Sequence, residues 1–466
     1  MNMPVNLAFE LAPAGGLNLV PGDGITFNQS GGDWRAELAE FVTEFNKTHA
    51  AVVIGGKHRI MRELEDLSSN KTIYEFIDKN ALIAIYENDQ IQIGESKGVP
   101  VYDNRVRYWL KHEKSRVYRN GVRFVPGKDL GEGYFNTWAG FSIEPVYGDC
   151  SLIKQHVEEI VCDGNPELIE YFYNWCAYTL QNPAKPAGAA LVLRGEKGAG
   201  KGILGHFLSA IWGKHGMHIS NGAHLVGKFN GHLADTCLLF SDEAFYSGNK
   251  EHEQVLKALI TEPTLAIERK GIDTIQQPNY LKVFMATNSD WAVPATRDER
   301  RFCVFDVSSA RIGDSAYFDA LSNAKNDPDV KAAFLHEMLN RDIKSFRTGA
   351  IPESDGLKAQ RIGTLESGGK WLMHFLQSEY DDYGRKIDDE IIPRSASEFF
   401  KDYIEWFNTN KISQYQIWSN TKFGIYLGKL GYKKQRSKQG VVWVLGTLGE
   451  AVEKFERYEK LTTGII

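Results

Sequence analysis

The chain has 466 residues, 42% of them hydrophobic and 24% charged, with a formal net charge of −6. These values suit a soluble globular protein of two to four domains with at least one large core, and they confine any nucleic-acid surface to a local patch. Five cysteines without a C-x-x-C pair exclude a zinc ribbon and a disulfide framework and predict a reduced, cytoplasmic setting. The chain shows neither a basic-then-apolar leader nor a run of about 18 apolar residues, so no secretion signal and no membrane span are expected.

The first 25 or so residues, rich in Gly, Pro and Asn, read as a loose arm. Apolar spacing from Asp33 to Lys47 predicts a helix, and AVVIGG (51–56) a strand closed by a glycine turn. A basic segment (99–128) follows, with eight Lys/Arg interleaved with Tyr102, Tyr108, Trp109, Tyr118 and Phe124. Such a pattern suits either base stacking or a plain core. No acidic pair falls on a predicted strand before residue 150, so polymerising chemistry is not expected in this chain. Residues 1–150 read as an N-terminal α+β domain, and 151–188 as a helical segment ended by Asn182-Pro183 and Lys185-Pro186.

From 189 to 350, short apolar strands alternate with helices, the pattern of an α/β nucleotide-binding core. Its first strand runs into LRGEKGAGKG, where Gly195, Glu196, Lys197, Gly198, Ala199, Gly200, Lys201 and Gly202 form a P-loop-like word. Backbone N–H groups at such a turn, with the following helix N-terminus, cradle phosphates, and Lys201 adds a point charge. The position that usually carries a Ser or Thr ligand for Mg²⁺ is Gly202. Mg²⁺ keeps several waters, so one more water can replace that hydroxyl.

The next strand, TCLLFSDEAF, delivers Asp242 and Glu243 at its C-terminal end, where ligand chemistry sits in open α/β sheets. Asp242 is the expected metal ligand and Glu243 the general base. A third strand, LKVFMATN, ends in Asn288, whose amide suits the γ-phosphate or the lytic water. Arg300 and Arg301 open a fourth strand and are candidates for a guanidinium supplied across a subunit boundary.

Residues 351–393 read as a helical and acidic linker, with EYDDYGRKIDDE (379–390) as its hinge. The final part, 394–466, holds a helix pattern at 423–430, then Lys433, Lys434, Arg436 and Lys438, then a strand from Val441 to Leu445. A helix followed by a basic hairpin looks like the end of a winged helix, which contacts DNA through helix and wing.

The words YFNTWAGFSIEP, GEKGAGKG, LLFSDEAF, VFMATNSDW and DERRFCVFDV, in this order, resemble superfamily 3 helicases, AAA+-related motors of viruses, phages and plasmids. The resemblance is strongest to the helicase part of phage and mobile-element primase–helicases, over roughly residues 100–310. It implies an α/β fold with an AAA+-like P-loop NTPase core, a helical collar before the P-loop and a small winged-helix-like C-terminal domain. It also implies ATP and Mg²⁺ as cofactors, a hexameric ring with sites between subunits, and 3′ to 5′ travel on single-stranded DNA at a fork. A primase or polymerase is an implied partner. A β-hairpin in the 260–283 slot would track the strand, with Lys270 at its tip and Arg269 beside it. A replication initiator that uses ATP as an assembly switch is the alternative from another class.

Overall fold

The computed structural model describes residues 34–66, 71–220, 230–243, 250–269, 272–289, 293–295, 299–410, 416–437 and 440–465. The 1–25 arm of the sequence reading lies outside them. The chain forms two compact units. The boundary expected at 150 falls instead after Arg116, because Val117 onward packs with the larger unit.

The smaller unit gathers the described residues up to Ala51, with Ile60–Arg62 and Phe76–Arg116. Its first helix, α1 (Trp34–Thr48), buries Leu38, Phe41, Val42 and Phe45 along one stripe. Strands β1 (Gln90–Ser96) and β2 (Val99–Asn104) pair as an antiparallel hairpin. The basic, aromatic stretch is partly core: Trp109 is fully buried, its indole N–H donating to Asn46 Oδ1 at 2.8 Å. Arg105 is buried too, paired with Asp89 at 3.1 Å and stacked on Phe41. Tyr102, at 51% exposure, is the surface aromatic of the hairpin.

The larger unit is built on a five-stranded parallel sheet. Its strands are β3 (Ala190–Arg194), β4 (Gly216–Ile219), β5 (Leu238–Asp242), β6 (Lys282–Thr287) and β7 (Phe302–Asp306), in spatial order β4-β5-β6-β3-β7. Near-continuous apolar strands are what a sheet covered on both faces requires. Leu191, Leu193, Phe240, Phe284, Cys303 and Phe305 enter one apolar cluster, with α2 (Pro166–Gln181) and α3 (Lys201–Ile211). Val192, Leu239, Val283, Met285, Phe302 and Val304 enter the other. Consecutive side chains thus alternate between faces. Helix α3 lies so close to β5 that a Cβ on Gly205 would sit 2.3 Å from the Phe240 ring.

Between β5 and β6 come α4 (Lys250–Thr261) and an antiparallel pair, β8 (Thr264–Arg269) with β9 (Ile272–Pro278). Arg269 pairs opposite Ile272 at the end of this hairpin. Lys270 lies outside the described residues.

After β7, α5 (Ser315–Asn326) and α6 (Pro328–Asn340) return against the first cluster. Helix α7 (Asp355–Thr364) then packs on the sheet: Ser354 Oγ donates to Val304 O at 2.7 Å, and Val293 N–H donates to Gln360 Oε1 at 3.1 Å. The C-terminal part is α8 (Ser367–Asp381), α9 (Ala396–Thr409), α10 (Asn420–Lys429), the antiparallel pair β10 (Lys433–Ser437) and β11 (Gly440–Val444), and α11 (Leu448–Glu459). Trp371, Tyr403, Phe423 and Trp443 join its core.

The acidic run 379–390, expected as a hinge, is pinned into this part. Glu379 is buried at the inward face of α8, one turn after Phe375, and takes ion pairs from Arg385 and Arg394. The N–H groups of Leu448 and Gly449 donate to Asp389 O and Ile387 O, both at 2.9 Å. Burying a carboxylate requires such partners, and they fix the loop.

Candidate active site

Parallel strands bring their C-terminal ends to one edge, and the sequence places chemistry at each. Residue Asp242 ends β5 opposite Ala286, Thr287 ends β6 opposite Arg194, and the glycine loop leaves β3 directly after Arg194. Gly195 N–H donates to Thr287 O, and Glu243 N–H to Ala286 O at 3.0 Å, so the loop and the acid pair are tied to the same neighbouring strand.

Lys201 is the first residue of α3 and is 6% exposed. Its ammonium donates three hydrogen bonds: to Gly195 O at 2.7 Å, Glu196 O at 2.7 Å and Asn288 Oδ1 at 2.8 Å. The ammonium therefore sits inside the loop's curl, already aimed. Burial lowers its pKa, and Glu243 and Asp242 oppose that shift. Glu243 Oε1 accepts the Asn288 backbone N–H at 2.7 Å. Three predicted site residues therefore interlock, Lys201 holding the Asn288 side chain and Glu243 its backbone, with Asp242 the residue before Glu243. Glu243 adopts φ +54°, uncommon for a residue with a Cβ and typical of functional turns.

Gly202 faces this group. A Cβ built on it would lie 3.7 Å from Asp242 Oδ2, an ordinary contact with nothing nearer. Position 202 thus points at the carboxylate expected to hold the metal, and it has room for a hydroxymethyl group.

Gly200 is held from behind. It adopts φ +89°, and a Cβ there would lie 2.5 Å from His156 Cε1 and 3.1 Å from Phe318. His156 begins a π-helical turn (His156–Val161), is 1% exposed, and places Nδ1 3.0 Å from the Tyr317 hydroxyl. Burial pushes its pKa down to about 4, so the imidazole is neutral. Sequence reading did not single out this residue. Its signal was its place three residues after Ile153 and four before Ile160, on the apolar stripe.

Arg300 and Arg301 stand apart from the cluster. They precede β7, at the opposite end of the sheet from Gly195; five residues of strand separate the two edges by about 17 Å. Arg301 pairs with Glu299 at 3.2 Å, and Glu299 is buried. Arg300 is exposed, with no side-chain partner among the described residues. In the C-terminal part, Lys433, Lys434 and Arg436 are exposed on β10, with Lys434 stacked over Trp443 at 4.7 Å. Lys438 lies outside the described residues.

Comparison with known proteins bears on this arrangement. Residues 193–301, from the strand before the glycine loop to Arg301, match a family of unknown function, DUF5906. The chain is similar to a phage DNA primase-polymerase. That protein, from Nitratiruptor phage NrS-1, is 28% identical over 309 residues, which are 60% of this chain and 43% of the relative. The chain thus matches less than half the length of this curated relative. Its fold is shared with the C-terminal region of NrS-1 (residues 305–718), at a TM-score of 0.56 and 17% identity over 88% of this chain and 99% of that one. A second apo form of that region gives a TM-score of 0.59 at 16% identity, over 87% of this chain and 98% of that one. Among the described residues no helix is long and apolar enough to cross a membrane, and all five cysteines are buried and unpaired.

Proposed function

We propose that this chain is an ATP-driven DNA helicase serving the replication of a phage or mobile element. The observation that carries the reading is the interlock of Lys201, Asn288 and Glu243, with Asp242 the residue before Glu243, at the C-terminal edge of the sheet, beside a glycine loop that opens a helix. Similarity to a phage protein named as a primase-polymerase supports a place in replication.

The residues fit a magnesium–triphosphate. The N-terminus of α3 and the loop amides suit its anionic oxygens. Lys201 exchanges one of its three acceptors for a phosphate oxygen. Asp242 would hold the Mg²⁺, and a water would take the place of the hydroxyl that Gly202 lacks. Bound ATP supplies the phosphoryl group that is transferred to water. Glu243 takes the proton from that water, and Asn288 orients it.

Arg300 is the residue that completes the site from a neighbouring copy. Its distance from its own loop and an exposed guanidinium without a partner among the described residues both favour action in trans, whereas Arg301 is committed to Glu299. Head-to-tail contacts of this kind generate a ring when the rotation closes, here a homo-hexamer. The β8–β9 hairpin is the element that would track the strand in the ring's channel, with Arg269 and Lys270 as the contacts the sequence offers. Lys433, Lys434, Arg436 and Lys438 of a winged-helix-like domain would contact the DNA backbone.

A labelled-fork assay tests the proposal. Strand displacement is expected with ATP and Mg²⁺, and it is expected to vanish in Glu243→Gln while nucleotide binding persists. Tight, sequence-dependent duplex binding with slow turnover and no displacement would make the chain an initiator instead.

A further inference from the structure

Away from the glycine loop, a cavity of about 310 Å³ opens between α7–α8 and α10. This is the lower end of the size range for small-molecule sites. Trp418 and Tyr426 are both buried, their rings 5.0 Å apart, and Tyr458 stands 5.9 Å from Tyr426, so one wall is aromatic. Arg361, from α7, forms part of the lining and is 8% exposed. Its Nη1 donates to Glu353 and to Lys460 O, which fixes the side chain in the wall. Lys429 stands exposed at the end of α10 with no ion pair among the described residues. Lys422, over the Trp418 ring at 4.4 Å, pairs with Glu366 at the rim.

These features specify a ligand. The aromatic wall takes a flat, largely apolar body. The exposed cation on α10 calls for an anion attached to it. A flat ring joined to a phosphate is a nucleotide.

We infer that this cavity takes one unstacked nucleotide of a single DNA strand, its base against Tyr426 and Tyr458 and its phosphate at Lys429. The strand is favoured over a free nucleotide because Lys429 leads into the exposed Lys433, Lys434 and Arg436 of β10, a further run of phosphate partners. Duplex is disfavoured because paired, stacked bases present no free face. Arg361 links the cavity to the sheet, since α7 is bonded to Val293 and Val304. The inference rests on the proposed action on single-stranded DNA and adds where, outside the ring channel, a strand is held.

The test uses the full chain with a fluorescent thymidine 20-mer, the same strand carrying one 2-aminopurine, a blunt duplex and thymidine monophosphate. The variants are Lys429→Glu and Ile425→Glu; Lys429 is exposed, and Ile425 lines the cavity at 56% exposure, so both keep the fold. Each is expected to weaken strand binding roughly fivefold to tenfold and to abolish 2-aminopurine quenching. Duplex binding and strand-independent ATP turnover are expected to stay within about twofold. Monophosphate is expected to compete far more weakly than the strand. Unchanged strand binding and quenching, an equal loss on duplex, or equal competition by monophosphate overturns the inference. If wild-type turnover responds to single strands while the variants bind as wild type, only the cavity assignment falls. A wild-type chain that binds no single strand overturns both the cavity and the motor. A strand-independent peptide ligand would show as unchanged DNA binding.

Discussion

The two ends of the parallel sheet differ in how complete they are. At the C-terminal edge, Lys201 and Glu243 both bond Asn288, and Gly202 leaves room beside the Asp242 carboxylate. At the N-terminal edge, Arg301 is consumed by buried Glu299, Lys282 donates to Pro183 O and Tyr280 O, and Arg300 is exposed with no side-chain partner among the described residues. One edge holds an assembled cluster, and the other presents an exposed cation that meets no side-chain partner among the described residues. The groups at the first edge can be read as a site within one chain, whereas Arg300 gains a role only through the second copy proposed above.

Breaking the assembled cluster has the largest expected effect. Lys201→Ala removes the only cation in the loop's curl, and ATP turnover measured by phosphate release is expected to fall about a thousandfold or more. Arg300→Ala sharpens the comparison: turnover is expected to fall by about a thousandfold, while thermal unfolding stays at the wild-type temperature. Mixing Arg300→Ala with Lys201→Ala chains is expected to restore part of the rate, because some interfaces regain both groups. Two inactive chains that stay inactive together would place Arg300 outside the site.

A smaller effect concerns the support behind the loop. The folded pKa of His156, about 4, lies below its usual value of 6.5, so the unfolded chain binds the proton more readily. Its contribution is therefore complete above pH 6.5 and is lost as pH falls toward 4, by roughly 3 kcal/mol at most. Urea unfolding of wild type and His156→Leu across that window is expected to show a shallower acid loss in the variant. The smallest effect is at Gly202→Ser. The hydroxymethyl group fits beside Asp242, so turnover at saturating Mg²⁺ is expected within about twofold of wild type, with a lower Mg²⁺ requirement. Loss of hydrolysis in a folded variant would contradict the water-substitution account.

Much of the parallel-sheet core was legible because continuous apolar strands, glycines and terminal acids are local signals. The strand-to-helix setting of Gly195–Gly202 and the placement of Asp242 and Asn288 at strand ends needed only short windows of sequence. Other features depend on contacts between distant segments. Nothing near Gly200 announces that His156 backs it, and only the burial of Glu299 separates Arg301 from Arg300. The acids of the 379–390 run are solvent-exposed as its composition reads, except Glu379, which follows Phe375 and Leu376 at helical spacing and turns inward to two arginines. The basic aromatic stretch was ambiguous for the same reason: Trp109 and Arg105 are core, whereas Tyr102 is surface.

The most direct test of the central claim is steady-state ATP hydrolysis by the purified chain, with and without single-stranded DNA. The account predicts Mg²⁺-dependent turnover that rises with the strand and disappears in Lys201→Ala. A folded wild-type protein whose hydrolysis does not exceed that of Lys201→Ala, with or without DNA, would contradict it.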